Sequence, residues 1–433
     1  KIFRSADIGA TILLLEKSSN KKERDENKIV FLYTNHESQI SIDEILDAVE
    51  NPEKYKDRFV INVKKQKDVP RDKKWINFFF DTDFFFEKLK RKAIPLGNLF
   101  FASAGNYSYV FLSSIGKING FLNHGAKNFF EINKDTVEKY GLEEYAHPAL
   151  SGGQIFKHYI FSKKDWEEIK NEGKAAYFFI CHKPKDQLPK NVLEYIKWGE
   201  TECRSTKKYT AGAGKICSET QTSKDRESKK DLFYGWYDLG DVVYSPIFGI
   251  RLSQYFSRFI YSKEKIVIDD AFSALVPKTN FTENELKALL SFLNSSFIQL
   301  QVESIGRIVN GGAIEFDIKT LNKFLILNVK NLPQEKISEL ASLFEKLEQK
   351  SRASKTQYTP EKIFGTELAS TITGKKYDGN EEGLFNTVIK EIDYKIGEIL
   401  GFDKEEVDRI RDLTLKMIRR RVLRYNSKEP ELI

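Results

Sequence analysis

Hydrophobic and polar positions divide the chain into three stretches of different texture. In the first, a continuous apolar run at 8–15 favours a strand buried on both faces, and 29–33 predicts a second strand. The polar residues between them read as a turn, so the two runs predict a hairpin at the edge of a sheet. Residues 43–51 predict a short helix that ends before Pro52. The phenylalanine-rich stretch at 53–94 has no period that can be assigned.

The second stretch, from 95 to about 329, consists of short β-rich runs separated by Gly, Ser and Asn turns. This texture is typical of one mixed, mainly β domain. Its predicted strands are 107–112, 176–182, 242–252, 265–276 and 324–329. Between the last two, leucines at helical spacing predict a core-facing helix at 283–294.

The third stretch, beyond 331, is helical. Two apolar stripes mark its first helices and consist of Ile337, Leu340, Phe344 and Leu347, then Leu384, Val388, Ile392, Ile396 and Ile399. Gly401 is expected to stop the second helix. Asp403 and Glu406 have the spacing of a capping box and open a last helix. Its terminal arginines 419–421 and 424 complement the helix macrodipole, with phosphate contact as the alternative.

These patterns predict an α+β fold with four parts. They are the end of a sheet at 1–35, a spacer with short helices at 36–94, a mixed, mainly β domain at 95–330 and a helical region at 331–433, which we expect to close with an antiparallel helical pair. The chain starts inside the first predicted strand and without a methionine. We therefore expect it to be the C-terminal part of something longer.

Composition excludes several classes of protein. At 433 residues and 40% hydrophobic, the chain has enough apolar surface to fold rather than remain disordered. It has no apolar run of membrane-spanning length and no signal sequence. Three cysteines without a Cys-x-x-Cys pair predict free thiols and a reducing, cytoplasmic compartment.

A net charge of +7 is mild, but one segment concentrates positive charge. Residues 204–230 hold eight basic residues against three acidic ones, interleaved with small polar residues that keep a loop mobile. This composition predicts a loop that lies along DNA phosphates; the alternative is a solvated surface loop. The predicted contacts are Arg204, Lys207, Lys208, Tyr209, Lys215, Lys224, Arg226, Lys229 and Lys230. Trp236, just after the segment, is expected to be a core residue that anchors the loop where the chain returns to the fold.

Other candidate sites are weaker. The triplet at 212–214 follows no predicted strand, which disfavours a nucleotide loop. Cys181, Cys203 and Cys217 lack the close spacing of zinc ligands. Asp317 and Lys319, with Asp269 and Asp270, match half of a nuclease metal site, but a helix cap at Asp317 explains the same residues. We expect no catalytic, cofactor or metal site on this chain.

Several stretches in order resemble one family, the N6-adenine DNA methyltransferases of restriction-modification systems, of the TaqI-like type. The segment 9–17 resembles the last strands of their catalytic sheet, and 96–100 resembles the entry to their target recognition domain. The rest of the series comprises 125–130, 140–142 with Pro148, 236–239, 269–272, 289–296 and Gly306-Arg307 before Gly311-Gly312. The resemblance spans about 1–330.

The resemblance implies a specificity region that reads duplex DNA while a catalytic domain moves a methyl group from S-adenosylmethionine to adenine. No two prolines are adjacent, so the Asn-Pro-Pro-Tyr loop of these enzymes is not on this chain. S-adenosylmethionine is expected on the missing catalytic domain. Arg307 and Asn310 are further predicted DNA contacts, with an ion pair from Arg307 to Glu303 or Glu315 as the alternative. A scaffold subunit and a nuclease are the competing functions.

Overall fold

The computed structural model describes residues 18–34, 41–55, 58–70, 74–108, 124–153, 155–205, 214–354 and 358–426. The described residues are 49% helix and 17% strand, in several small sheets, which confirms the α+β class. Within the described ranges the helices, α1 to α18 in chain order, are Lys21–Glu26, Ile42–Glu50, Ile76–Phe80, Asp83–Leu89, Leu96–Leu99, Lys127–Phe130, Lys134–Tyr140, Lys163–Asn171, Lys190–Thr201, Gln221–Glu227, Glu283–Leu293, Ser296–Ile305, Ile318–Leu321, Gln334–Ala353, Pro360–Phe364, Thr366–Thr373, Val388–Leu400 and Lys404–Asn426.

The strands of the same ranges are short, and β4 and β15 form the longest pair after the N-terminal hairpin. In chain order, β1 to β18 are Lys28–Thr34, Phe59–Lys65, Ala93–Pro95, Phe100–Ala104, Tyr107–Ser108, Glu131–Ile132, Ala146–Leu150, Ile160–Phe161, Tyr177–Phe179, Val242–Val243, Ile247–Ile250, Leu252–Ser253, Phe259–Ser262, Val267–Ile268, Phe272–Pro277, Arg307–Ile308, Ile314–Glu315 and Leu325–Leu327.

A five-stranded sheet in the order β4-β15-β11-β13-β8 lies at the centre of the fold. It is antiparallel except for β13 and β8, and Phe248 stands opposite both Ala274 and Ile260. Side chains alternate across it, because successive residues of a strand point to opposite faces. Phe259 therefore packs into the largest core while Ile260 packs into a smaller one. The sheet is buried on both faces.

The largest core joins this sheet to the C-terminal helices. It contains Phe85, Leu289, Phe344, Ile396 and Met417, contributed by five different helices. The helical stripes predicted beyond 331 are buried here, and Gly401 ends α17 with a φ of 75°. Asp403 and Glu406 form the reciprocal capping hydrogen bonds. The helix predictions for this region are confirmed.

A second core of aromatic residues lies under the four-stranded sheet β14-β7-β9-β6. It includes Phe129, Tyr195 and Trp236, and α9 packs beside it. All of its residues fall between 126 and 267. The predicted four-part division of the chain remains a prediction, and its segment 1–17 is outside the described residues.

The predicted pairing of the first hairpin lies partly outside the described residues. Strand β1 pairs with β2 in an antiparallel register that sets Val30 opposite Val63, and the predicted partner at 8–15 is outside the described residues. The expected polar turn before β1 contains α1, capped by Asn20. The phenylalanine triplets form α3 and α4, and Phe78 packs its ring 5.1 Å from Phe31 of β1. Pairing depends on distant residues, which local periodicity cannot show.

Candidate nucleic-acid interface

The basic segment 204–230 begins where a disulfide closes a loop. The backbones of Arg204 and Ile216 form an isolated antiparallel bridge, which returns the chain on itself. This brings Cys203 beside Cys217, and their sulfurs are bonded. The expectation of free thiols was wrong for this pair and holds for Cys181, which is buried and free. Spacing alone missed the pair because the return of the loop brings the two cysteines together.

Most of the predicted basic residues that the structure describes are exposed. They are Arg204, Lys215, Lys224, Lys229 and Lys230, whereas Lys207, Lys208 and Tyr209 lie outside the described residues. Within the described ranges, none of the four lysines forms an ion pair. Two of the three acids of the segment are engaged elsewhere, because Asp225 accepts from Gln221 and Glu227 accepts from the Trp236 backbone. The ammonium groups therefore retain their charge for an external anion.

Arg226 was wrongly predicted to contact DNA. Helix α10 turns by about 100° per residue, so Arg226 lies almost opposite the exposed Lys224. Its Nε donates to the Trp236 carbonyl at 2.9 Å and its Nη2 to the His124 carbonyl at 2.8 Å. Burial lowers the pKa of its guanidinium to about 10. Arg226 fixes the underside of the segment to the second core.

Trp236 is a core residue, as predicted, with 5% of its surface exposed. Its ring lies 4.4 Å from that of Phe129, and its Nε1 donates to Glu200 at 2.9 Å. A Cβ at Gly199 would stand 2.5 Å from the indole. The glycine therefore allows α9 to approach the ring, and the indole anchors the end of the basic segment.

Asp238, to which no sequence pattern assigned a role, holds the same stretch of chain at the end of the basic segment. Its buried carboxylate accepts from the backbone N–H groups of Tyr234 and Gly240 and contacts His182 Nδ1 at 2.8 Å. Burial raises the pKa of Asp238, while these contacts oppose the rise. Tyr234 is held with 54% of its surface exposed, four residues after Lys230. An exposed aromatic ring thus accompanies the unpaired lysines.

The second predicted region carries Arg307. Strands β12, β17 and β16 form a three-stranded sheet in which Arg307 stands opposite Glu315. Arg307 Nη2 pairs with that carboxylate, yet 75% of the Arg307 side chain is exposed. The proposed ion pair thus exists with Glu315, and contact with DNA remains a prediction. The side chain of Asn310 is outside the described residues.

A buried ion pair holds the turn that follows Arg307. Arg421 of α18 pairs with Glu303 at 2.8 Å and donates to the carbonyl of Gly312 at 2.6 Å. Gly311 and Gly312 have φ values of 88° and 70°, which favour glycine. Arg421 was expected to complement the helix terminus, or else to contact phosphate, but it lies in the interior. This region packs on the largest core, apart from the basic segment on the second core.

The weaker candidates have structural roles. Asp317 caps α13 by accepting from the Thr320 backbone, which confirms the alternative to a nuclease site. Asp269 is buried and accepts from Ser151 and from the backbone of Gly152. Across the described part of the chain, no group of three His, Cys, Asp or Glu residues could hold a metal. None of its helices combines the length and the hydropathy needed to cross a bilayer.

Comparison with known proteins supports a relationship to type II DNA methyltransferases. Residues 102–212 match the family model described as the C-terminal domain of type II methyltransferase M.Eco57I. Over 234 residues the chain is 23% identical to type II methyltransferase M.AccI of Acinetobacter calcoaceticus, a match that covers 54% of this chain and 39% of that enzyme. The chain spans about two fifths of this curated relative.

Two solved structures are also similar. The type IIG restriction endonuclease BpuSI matches with a TM-score of 0.45 and 12% identity, covering 86% of this chain and 37% of the enzyme. The type IIL restriction-modification enzyme MmeI, solved in complex with DNA, matches with a TM-score of 0.37 and 12% identity, covering 75% and 36%. By its family model and its curated relative, the chain is similar to type II methyltransferases.

Proposed function

We propose that this chain is the sequence-specific DNA recognition part of an N6-adenine DNA methyltransferase of a restriction-modification system. Methyl transfer from S-adenosylmethionine is carried by a catalytic domain or subunit outside the chain. The observation that carries the proposal is the group of exposed lysines 215, 224, 229 and 230, whose charges have no acidic partner among the described residues. The family match covers 102–212 and therefore includes the start of this segment.

The anchoring of the segment supports the proposal. Arg226 and Trp236 attach it to a rigid aromatic core, so that its lysines project from a fixed base. Lysine ammonium groups contact phosphates without reading sequence. The exposed ring of Tyr234, four residues after Lys230, adds an aromatic surface. This arrangement positions a duplex, whereas the region of Arg307 offers a guanidinium that can read guanine in the major groove.

Cellular DNA as the partner implies a location in the cytoplasm. A disulfide between Cys203 and Cys217 is uncommon in that compartment. Under this proposal the pair exists as a dithiol in the cell, with the backbone bridge between Arg204 and Ile216 holding the same loop.

The salt dependence of duplex binding tests the proposal. A variant with Lys215, Lys224, Lys229 and Lys230 changed to glutamine should bind all duplexes more weakly than the wild type. The slope of log affinity against log salt, measured by fluorescence anisotropy between about 50 and 200 mM, should become shallower by about 0.9 for each phosphate that a lysine no longer neutralises.

A control variant carries the same loss of charge at other exposed sites. Lys134, Lys164, Lys346 and Lys416 each pair with a nearby carboxylate, so changing them to glutamine should leave the slope unchanged. If both variants keep the wild-type affinity and slope, the basic segment is a solvated surface and the scaffold function is favoured.

A further inference from the structure

A buried group of positive charges lies where residues 157–165 meet the C-terminal helices. Its centre is Arg258, which is only 2% exposed. Arg258 Nη2 donates to the Phe156 carbonyl at 2.6 Å, and its guanidinium lies 4.4 Å from the centre of the Tyr358 ring. Its Nε and Nη1 are buried without a hydrogen-bond partner. A buried cation with unsatisfied donors is costly unless an anion accompanies it.

Two carboxylates close to this group are already occupied. Glu348 accepts from the backbone N–H groups of Tyr159 at 2.7 Å and Ile160 at 3.0 Å, and it pairs with Arg352. Asp165 accepts two hydrogen bonds from Arg352 at 2.8 and 2.9 Å. In the described part of the chain, no carboxylate reaches Arg258 as an ion pair.

More basic side chains face the same place. Lys362 is 2% exposed, and burial, with the charge of Arg258, lowers the pKa of its ammonium to about 8. Lys157 is half-buried, and its pKa is lowered by burial and by Arg258. His158, also half-buried, shares a hydrogen bond with Ser351 Oγ at 3.1 Å. The two half-buried residues form the side of the group nearest to solvent.

We propose that Arg258, Lys362, Lys157 and His158 form a binding site for one phosphate-type oxyanion. Arg258 Nη1 and Nε supply N–H donors to its oxygens, and Lys362 supplies a compact positive charge. The guanidinium is suited to this because its planar donors match tetrahedral oxyanions. The bound anion links the segment around Phe156 to helix α15, and so fastens the recognition region to the C-terminal helices.

Phosphate titration of the full chain tests the site. Potassium phosphate, compared with potassium chloride at equal ionic strength, should raise Tm saturably, and calorimetry should give one phosphate per chain. Arg258→Met should abolish the response, whereas the exposed Arg24→Met should keep it. A buried cation replaced by an apolar side chain often leaves a protein folded. Should Arg258→Met fail to fold, Lys362→Met provides the same comparison and should weaken phosphate binding at least about tenfold.

A wild-type chain that shows no saturable response, or an Arg258→Met chain that responds like the wild type, would overturn the proposal. The source of the oxyanion is a second readout. If phosphate competes with duplex DNA in the wild type but not in Arg258→Met, the site takes a backbone phosphate of DNA. If it does not compete, the site takes free phosphate or a phosphorylated small molecule. The site is independent of the proposed function, because the lysine variant of the basic segment should keep the phosphate response.

Discussion

Single residues of the basic segment show what charge counting can and cannot predict. Counting charges treats Lys224 and Arg226 equally, although they lie on opposite faces of α10. The carbonyls that bind Arg226 belong to His124 and Trp236, and no local pattern identifies such partners. Trp236 was predictable because a large apolar residue beside a polar loop has few alternatives to burial. Asp238 was missed because its hydrogen bonds depend on the return of the chain.

The indole of Trp236 should contribute strongly to stability. Trp236→Ala removes a buried ring and should lower the free energy of unfolding by about 3–5 kcal/mol. The exposed Tyr234→Ala should change it by no more than about 0.5 kcal/mol. Urea denaturation of both variants measures this. Normal unfolding of Trp236→Ala together with failure to bind DNA would instead assign the indole to the interface.

His158 should make stability depend on pH. In the folded protein its imidazole has a pKa of about 4, because burial and then Lys362 and Arg352 disfavour its cation, against an ordinary value of 6.5. Between about pH 6.5 and 4 the unfolded chain binds more protons, so the free energy of unfolding falls as the pH drops. His158→Gln should lose less stability than the wild type between pH 7 and 5. Equal losses in the two proteins would show that folding does not lower the pKa of the His158 imidazole.

At the scale of elements, local patterns predicted helices better than strand pairing. Helix α11, the C-terminal helices and the cap of α18 follow from apolar spacing and from capping residues close in sequence. The pairing of β1 could not be predicted in this way, because its partner β2 lies about 30 residues away, beyond a helix and a loop. The secondary structure of the phenylalanine triplets could not be predicted, because helices α3 and α4 are very short and bury aromatic residues on several sides.

The contact between α18 and the turn after β16 should control how Arg307 is presented. Arg421→Met leaves Glu303 buried without its partner and should lower the free energy of unfolding by about 3–5 kcal/mol. Lys416→Met, in an exposed pair on the same helix, should change it by less than about 1 kcal/mol. Thermal and urea unfolding measure the difference. Similar small effects of the two substitutions would show that the turn after β16 does not depend on Arg421.

Substitution of Arg307 tests whether this residue contacts a base, contacts a phosphate or has a structural role. If it contacts a base, Arg307→Ala should cost about 1–3 kcal/mol on the preferred duplex, relax specificity at one position and leave stability nearly unchanged. Its high exposure and its single carboxylate partner fit that outcome. Equal weakening on every duplex would make it a phosphate contact. A lowered Tm with unchanged binding would make it structural.

At the scale of the whole molecule, one hydrophobic core connects the predicted recognition region with the helical region. Composition and texture could predict the α+β class and the helical C-terminal region, and the ordered motifs indicated the type II methyltransferase relationship. They could not predict that Leu289 and Met417 would share a core. The Arg258 site also depends on this long-range packing, since Arg258 and Lys362 are about 100 residues apart. The predicted boundary near 331 therefore marks a change of texture within a continuous interior.

Selection of duplexes from a randomised DNA library by the full chain tests the central claim most directly. A recognition module should enrich one short sequence, and each base-pair change within it should cost about 1–3 kcal/mol of binding free energy. The variant with the four lysines changed to glutamine should bind more weakly and enrich the same sequence, because phosphate contacts position the duplex without specifying it. Binding without enrichment over repeated rounds, or no binding to duplex DNA, would contradict the account.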